Sequence, residues 1–462
     1  MVRIFRHYLS TTVLALAAIE ALLLAVAVYA GKFLRFADAD RFAGEIYRHA
    51  PDAAIFVGVF MLTMHALGVY RQESLTDTRV MFLRLCVSFL LGFIFIGALQ
   101  YSVPSLELWR SALGIAILLG FTGIVCFRLA SRRVVTSHAL KRRVLVLGSG
   151  SRAARIASLE VSRRAPNFMC AGFIQMNAEK ACVPSEQIIG EPADLVRLAE
   201  QMSIDEIVVA VEDRRKEMPV NDLLHLKLSG VEILEFSSFW EKETGRVDLD
   251  TVHPSWMIFS DGFGGTMATR ILKRGFDLVV SAAFLLLTLP VLVFTALAIK
   301  LDSRGPIFYR QERVGWHGRP FMLLKFRSMV TDAEHDGVPK WAGAADSRIT
   351  RVGHIIRQTR IDEIPQVFNV LLGHMSFIGP RPERPFFVQE LAAKIPYYAE
   401  RHRVKPGITG WAQINFPYGA SVEDAKQKLE YDLYYIKNHS IFLDCIILLQ
   451  TARVVLFPEG VR

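Results

Sequence analysis

RVGHIIRQTRIDEIPQVFNVLLGHMSFIGPRP, residues 351–382, is the stretch around which the rest of the chain is organised. It carries an adjacent carboxylate pair, Asp362 and Glu363, then Pro365, then the apolar run Val367-Phe368-Asn369-Val370-Leu371-Leu372, closed by Gly373. Proline suits the first turn of a helix and glycine its end, so the spacing predicts a short helix from about Ile364 to Leu372. The carboxylates fall just before its N-terminus, where unpaired N–H groups and the helix dipole favour negative charge and where phosphate is also welcome. Arg357 and Arg360 precede the pair, and Arg381 and Arg384 follow it. Arginine offers phosphate oxygens a fixed fork of donors. Neighbouring side chains project differently, so Asp362 and Glu363 are expected to do different jobs, such as nucleophile and metal ligand. The plain alternative is an N-cap Asp among surface arginines, a common arrangement. Two neighbours weigh against it: the stiff turn Gly379-Pro380-Arg381-Pro382, which fixes an arginine, and the upstream basic cluster Lys325-Phe326-Arg327-Ser328-Met329.

The 462 residues are 52% hydrophobic and 21% charged, with a net charge of +9. That length allows two or three domains. The basic excess suits anionic lipid or phosphate ligands. No zinc-finger spacing or other nucleic-acid-binding signature is present, so nucleic acid is not an expected partner. Cys86, Cys126, Cys170, Cys182 and Cys445 are scattered without a CxxC, which argues against a disulfide framework or a zinc site.

Residues 1–135 read as a four-helix transmembrane domain. After Arg3 and Arg6 the chain is nearly uncharged from Leu9 to Ala30, too long for a signal-peptide core. Further apolar runs cover about Ala53–Tyr70, Val80–Leu99 and Trp109–Leu129. Four spans return the chain to its starting side. Arg71, Arg79, Arg132, Arg133, Lys141, Arg142 and Arg143 flank that side, and the positive-inside rule assigns it to the cytoplasm. Lys32, Arg35, Arg41 and Arg48 in the first outer loop weaken this without reversing it. Arg84 lies near the cytoplasmic end of the third run, within snorkelling reach.

Residues 141–265 read as a Rossmann-like α/β domain. Val144–Leu147 forms a buried strand, followed by Gly148-x-Gly150-x-x-Ala153 and a helical pattern. Ile207–Val211 and Val231–Leu234 are later strands, and strands alternating with helices imply a parallel sheet. Gly148 and Gly150 are candidate cofactor-binding residues for a nucleotide, on a pattern that is weak by itself. No tyrosine occurs between Lys141 and Gly265, which excludes a short-chain dehydrogenase Tyr-x-x-x-Lys pair there. A regulatory or assembly role is favoured over a catalytic one.

Beyond the linker 266–272 the third domain occupies residues 270–462. Phe276–Lys300 is apolar enough to span a membrane, but Pro290 interrupts it. Proline lacks an N–H, so the run reads either as a fifth span or as a helix broken at Pro290 that enters and leaves by one face, with Thr288 back-bonding to a freed carbonyl. The acidic run 332–337 lacks EF-hand spacing and reads as a solvated loop. Pro385–Arg401 and Glu423–Tyr435 read as helices, and Ile441–Phe457 as an apolar segment of the core or interface.

From about Lys273 onward the chain resembles the bacterial sugar transferase family, the large monotopic phosphoglycosyl transferases. The resemblance rests on Lys273-Arg274-Gly275-Phe276-Asp277, Gly305-Pro306 through Tyr309, Gln311-Glu312-Arg313-Val314-Gly315, Lys325 through Met329, Asp362-Glu363-x-Pro365-Gln366, Met375 through Pro382, and Lys405-Pro406-Gly407-Ile408-Thr409-Gly410-Trp411. The Trp341-Ala342 region and the run Tyr418-Gly419-Ala420-Ser421 resemble the subgroup linked to PEP-CTERM exopolysaccharide systems. The resemblance implies a C-terminal catalytic α/β domain on a re-entrant membrane helix at about 276–300, although Leu289 stands where relatives often have Ser before the proline. A fifth span would place that domain outside the cell, away from nucleotide-activated sugars. The implied reaction moves a sugar-1-phosphate from a UDP-sugar to polyprenyl (undecaprenyl) phosphate and releases UMP, as the first membrane step of exopolysaccharide synthesis. Asp362 would be the nucleophile. Glu363 would support Mg²⁺, with Asp362 and Glu363 as its metal ligands. Lys325, Arg357 and Arg381 match phosphate-binding positions. The expected setting is the bacterial inner membrane, with soluble domains facing the cytoplasm and a homo-oligomer, a dimer, as the assembly. Two rivals are a membrane-bound sugar-nucleotide dehydratase or epimerase, which the missing tyrosine disfavours, and a non-catalytic polysaccharide assembly scaffold, which the intact carboxylate pair disfavours.

Overall fold

The computed structural model describes residues 2–4, 7–36, 49–103, 110–135, 141–162, 167–176, 180–212, 218–252, 262–264, 266–330, 348–416, 419 and 421–456. Trp341-Ala342, the acidic run 332–337, Tyr418 and Ala420 lie outside them. The chain divides into two compact units, one holding Tyr8–Thr244 and the other Gly245–Arg462.

The first unit opens with apolar helices α1 (Thr11–Phe36), α2 (Ala50–Ala66), α3 (Thr78–Ser102) and α4 (Arg110–Val135). α1, α3 and α4 are long and apolar enough to cross a membrane, and α2 is shorter, at 17 residues. Leu24, Phe56, Phe60, Leu85 and Ile124 are fully enclosed between them. Each end of the bundle also holds buried charge. Glu20 receives Arg128 through two bonds of 2.5 and 3.1 Å, and Tyr70 Oη donates to it at 2.7 Å. Lys32 meets Asp52 at 2.7 Å. Buried charges survive in such an interior only when paired. Arg84 follows the same rule. It is 2% exposed and donates to Glu73, Ser74 Oγ and the Gly68 carbonyl.

The α/β part has five parallel strands: β1 (Arg142–Leu147), β2 (Phe168–Ile174), β3 (Ile188–Gly190), β4 (Glu206–Val209) and β5 (Glu232–Glu235). Their order is β3-β2-β1-β4-β5, with β1 central. Helices pack on both faces, because Val144 and Val146 belong to one core and Leu145 and Leu147 to the other. This is the alternation a doubly covered strand requires. The sheet part closes with the helix Phe236–Thr244, and Val247, Leu249 and Val252 are buried in the core of the second unit.

The second unit hangs on α7 (Met267–Asp302), counting the α/β helices α5 (Ser151–Ser162) and α6 (Phe236–Thr244). Among the described residues it is the fourth helix long and apolar enough to cross a membrane. Its 36 residues give a contour of about 54 Å. A break is expected at Pro290, and there the helical backbone continues; the proline leaves one ladder bond unmade, which bends a helix without ending it. Thr288 Oγ1 does donate to a carbonyl, that of Phe284 at 2.7 Å, but Pro290 frees the carbonyl of Leu286. Packing explains the continuity. Asp277, Ser281, Phe284, Thr288, Leu292, Thr295 and Ile299 recur every three or four residues and are buried or half-buried, so one stripe is held on both sides of the proline. The opposite face is bare and apolar, with Leu286 76% exposed and Val293 and Phe294 also outward.

Both ends of α7 are tied to the same unit. Arg274 donates to the Val370 and Leu371 carbonyls at 2.6 and 2.8 Å. Asp277 accepts from Ser376 Oγ and Phe377 N, and Lys273 bridges Asp277 and Asp444. At the far end Arg327 donates to the Ser303 and Arg304 carbonyls, and Asp302 accepts from Val352 N. The rest is the antiparallel hairpin β6 (Phe308–Val314) and β7 (Pro320–Phe326), the parallel pair β8 (Ser376–Ile378) and β9 (Gly407–Thr409), and helices. Ile441–Leu456 buries Leu443, Ile446 and Ile447 in the core.

Candidate active site

The carboxylates sit between α8 (Arg351–Gln358) and α9 (Gln366–Leu371), in a 3₁₀ turn, Ile361–Glu363. α8 starts where Thr350 Oγ1 accepts from Gly353 N at 2.9 Å. Gly353 is forced by close approach, since a Cβ there would lie 2.0 Å from the Ser328 carbonyl oxygen. α8 stops at Arg360, whose φ of 59° is left-handed. A non-glycine residue there is strained, and such strain gathers at functional sites. This reversal swings Asp362 and Glu363 inward. The helix expected from Ile364 is present but shorter, because Ile364 and Pro365 complete the turn that carries the carboxylates.

Glu363 is clamped by two cations. Lys325 Nζ lies 2.9 Å and an Arg381 guanidinium nitrogen 2.7 Å from its Oε1. Burial pushes its carboxyl up, but Arg381 and Lys325 overcome that and hold it well below the usual carboxylate range. Asp362 differs. It is 9% exposed and accepts no hydrogen bond among the described residues. Burial raises its pKa, and Glu363 adds to this, while Lys325, Arg357 and Arg381 oppose it. The two carboxylates are adjacent in sequence and opposite in character.

The structure therefore brings Lys325 and Arg381 together on Glu363. Arg357 contributes to the field at Asp362 and makes no hydrogen bond or ion pair among the described residues. A further layer holds Arg381 in place: Arg401 donates to its carbonyl at 3.0 Å, and Arg313 donates to that of Pro382 at 3.1 Å. Arg401 is itself fixed by Asp432 at 2.9 Å. Gln413 was not foreseen. Its Oε1 lies 3.4 Å from Arg381, and its buried Nε2 has no partner among the described residues. Its only sequence signal is its place two residues after the Lys405–Trp411 motif.

Magnesium is normally held by one or two carboxylates together with substrate oxygens. Among the described residues no cluster of three or more His, Cys, Asp or Glu could hold a metal alone. The donor set still fits such a shared ion, since Asp362 has unengaged oxygens and Glu363 Oε2 has only a 3.4 Å contact with Arg381.

The glycine turn of the sheet lies apart from this site in the chain. Gly148 has φ +121°, and a Cβ would crowd the Ala210 backbone at 3.1 Å. The start of α5 is taken by a side chain: Glu212 accepts from Ser151 N at 3.1 Å and from Ser151 Oγ at 2.5 Å. Those bonds hold the Glu212 carboxyl below its ordinary value. Any nucleotide phosphate at Gly148 and Gly150 would compete with it.

Residues 268–458 match the family described as bacterial sugar transferase, and residues 65–233 that described as CoA-binding domain. The chain is 42% identical over 243 residues to a UDP-N-acetylgalactosamine-undecaprenyl-phosphate N-acetylgalactosaminephosphotransferase of Aeromonas hydrophila, covering 52% of this chain and 56% of that one. It is 35% identical over 331 residues to an undecaprenyl-phosphate glucose phosphotransferase of Komagataeibacter xylinus, covering 70% and 61%. The chain thus spans little more than half the length of these two relatives. A UDP-glucose:undecaprenyl-phosphate glucose-1-phosphate transferase of Klebsiella pneumoniae is 36% identical over 318 residues, 67% of each chain. With that span of likeness, and with every motif of the carboxylate site falling inside the matched region, the chain belongs to the bacterial sugar transferase family.

Proposed function

We propose that this protein transfers a sugar-1-phosphate from a UDP-sugar to a polyprenyl phosphate, undecaprenyl phosphate, and releases UMP as the first membrane step of exopolysaccharide synthesis. The observation that carries the reading is the asymmetry of the carboxylate pair: Glu363 is locked between Lys325 and Arg381, while the buried Asp362 beside it has unengaged oxygens. The names of the relatives supply the substrate class.

In the proposed first step an Asp362 oxygen attacks the sugar-bearing phosphorus. The bond from that phosphorus to the bridging oxygen breaks, and UMP leaves with the electron pair. In the second step a lipid phosphate oxygen attacks the same phosphorus. The bond to Asp362 breaks, restoring its carboxylate and giving the sugar diphospholipid. Phosphoryl transfer depends mainly on positioning and neutralised charge. Lys325 and Arg381 turn from Glu363 toward phosphate oxygens, Arg357 supports the charge at Asp362, and Gln413 Nε2 offers a further donor. Asp362 and Glu363 would hold Mg²⁺, which when bound neutralises pyrophosphate charge.

We further propose that α7 enters and leaves by the cytoplasmic face. Both ends are tied to one unit, a condition that a helix crossing to the other side would not meet. The basic flanks of α1–α4 support the same cytoplasmic orientation in a bacterial inner membrane. The Rossmann-like sheet is assigned a regulatory or assembly role, in a homodimer. Incubation of the full chain with a UDP-sugar and Mg²⁺, without lipid, tests the chemistry. The expected result is about one UMP per active site and a phosphosugar adduct on Asp362 by peptide mass spectrometry. An adduct on any other residue would overturn the mechanism.

A further inference from the structure

Two of the motifs, Lys273–Asp277 and Lys405–Trp411, have no part in the chemistry above, yet they converge at the opposite end of α9. Gly373 closes that helix with φ +86°. A Cβ there would lie 3.7 Å from Arg274 Nη2 and 3.8 Å from Lys405 Nζ, so two cationic nitrogens face one small open space. Lys405 makes no hydrogen bond or ion pair among the described residues; its ammonium lies 5.8 Å from the Trp316 ring centroid. Trp316 is in turn held by its indole N–H, which donates to the Arg403 carbonyl at 3.1 Å. The nearest compensating carboxylate, Asp277, is already engaged by Ser376, Phe377 and Lys273.

Arg274 is already met by the Val370 and Leu371 carbonyls, whereas Lys405 beside it has neither carbonyl nor carboxylate of its own among the described residues, so the pair still lacks an anion. Burial, and then Arg274, lower the Lys405 pKa, as uncompensated crowding requires. The surroundings identify what is missing. Leu372, next to the cradle, is 71% exposed, and Ile271 and Leu272 on α7 beside Arg274 are also bare. Trp316 is a ring of the kind that sits at the level of lipid headgroups. Apolar side chains flanking paired cations and an indole fit a group with an anionic head and an acyl or prenyl tail.

We propose that Arg274, Lys405 and Trp316 form a second anion site, at Gly373, for the phosphate of a membrane lipid. It stands about 10 Å along α9 from the carboxylate turn. It rests on the membrane placement of α7 proposed above and not on the transfer chemistry. Two lipids carry the required phosphate, an anionic phospholipid and the polyprenyl phosphate.

The test uses the full chain and native mass spectrometry, with phosphatidylglycerol or undecaprenyl phosphate titrated against a phosphatidylcholine background. Wild type should retain at least one of the two net-anionic lipids in preference to zwitterionic phosphatidylcholine. Lys405→Gln should bind it about tenfold more weakly, the scale of one lost charge-assisted bond. Lys405→Arg should restore binding. Trp316→Leu, which keeps an apolar side chain, should weaken binding severalfold and serves if Lys405→Gln fails to fold. A loss confined to undecaprenyl phosphate would identify an acceptor site, and one confined to phosphatidylglycerol a structural lipid; both support the cradle. Equal retention of both lipids by folded wild type and variants would overturn it. A chain that released no UMP would still give this difference, so the two readings fail separately.

Discussion

Asp362 and Glu363 are neighbours whose surroundings drive their charges apart. Asp362→Asn preserves shape but removes the charge proposed to attack, and turnover in a UMP-release assay should fall by roughly 10³-fold or more with the fold intact. Glu363→Gln should be severely impaired as well, since it releases Lys325 and Arg381 from their clamp. Arg381→Lys retains charge but loses the fork that meets both Glu363 and phosphate, and should raise the KM for UDP-sugar. The pH dependence follows from the direction at Asp362. Its carboxyl titrates above the ordinary value near ~3.9, so activity should fall as pH drops through that raised pKa. Lys325 opposes the rise, so Lys325→Met should move the acid limb of a single-turnover pH profile to higher pH. A limb that stayed in place would mean that another group controls it. Glu363 has the opposite sign. Its depressed pKa contributes stability that is present above the unfolded value near ~4.3 and is lost only as pH falls through the lower folded value.

Among the elements, α7 carries the proposed membrane placement of the second unit. Single cysteines at Ala268 and Arg304, on a cysteine-free background, should both be labelled only from the cytoplasmic side. Labelling at 304 from outside would establish a span. Because the helix already runs through Pro290, Pro290→Ala should restore the missing bond to the Leu286 carbonyl and stiffen it, by as much as about 3 kcal/mol. Some molecules should then shift to labelling at 304 from outside. At the start of α5, Glu212→Ala removes an N-terminal carboxylate and should cost about 1 kcal/mol in denaturant unfolding. It should also open the glycine turn to phosphate ligands.

At the scale of the whole molecule the junction near Thr244 matters more than the linker at 266–272. Val247, Leu249 and Val252 are buried in the core of the second unit, Glu430 accepts from Leu249 N at 3.3 Å, and Trp411 donates to the Gly245 carbonyl at 2.7 Å. Deleting residues 141–244 should therefore leave a catalytic unit that forms the phosphosugar adduct, while reducing oligomerisation. Deletion through residue 265 should unfold that unit. Size-exclusion chromatography and adduct mass spectrometry of the two deletions would separate these outcomes. Equal activity of both would mean that residues 245–252 contribute nothing.

By itself the sequence determined the features set by local pattern. Long apolar runs specified α1, α3, α4 and α7, the Val144–Leu147 run specified the central strand, and Pro365 with Gly373 bracketed α9. Adjacent carboxylates between arginines marked the candidate site, because clustered charge is written directly in the chain. Tertiary structure alone decided the rest. Which carboxylate is clamped depends on Lys325 and Arg381, brought from 38 and 18 residues away. The roles of Arg274 and Asp277 were hidden because their partners lie about a hundred residues later, and that of Lys273 because Asp444 lies further still. Short strands such as Ile188–Gly190 were missed, since three residues carry too little periodicity. The continuity of α7 was also undecided locally. Pro290 argues for a break from within the helix, whereas the stripe from Asp277 to Ile299 opposes it from outside, and that packing exists only once the unit has folded around the helix.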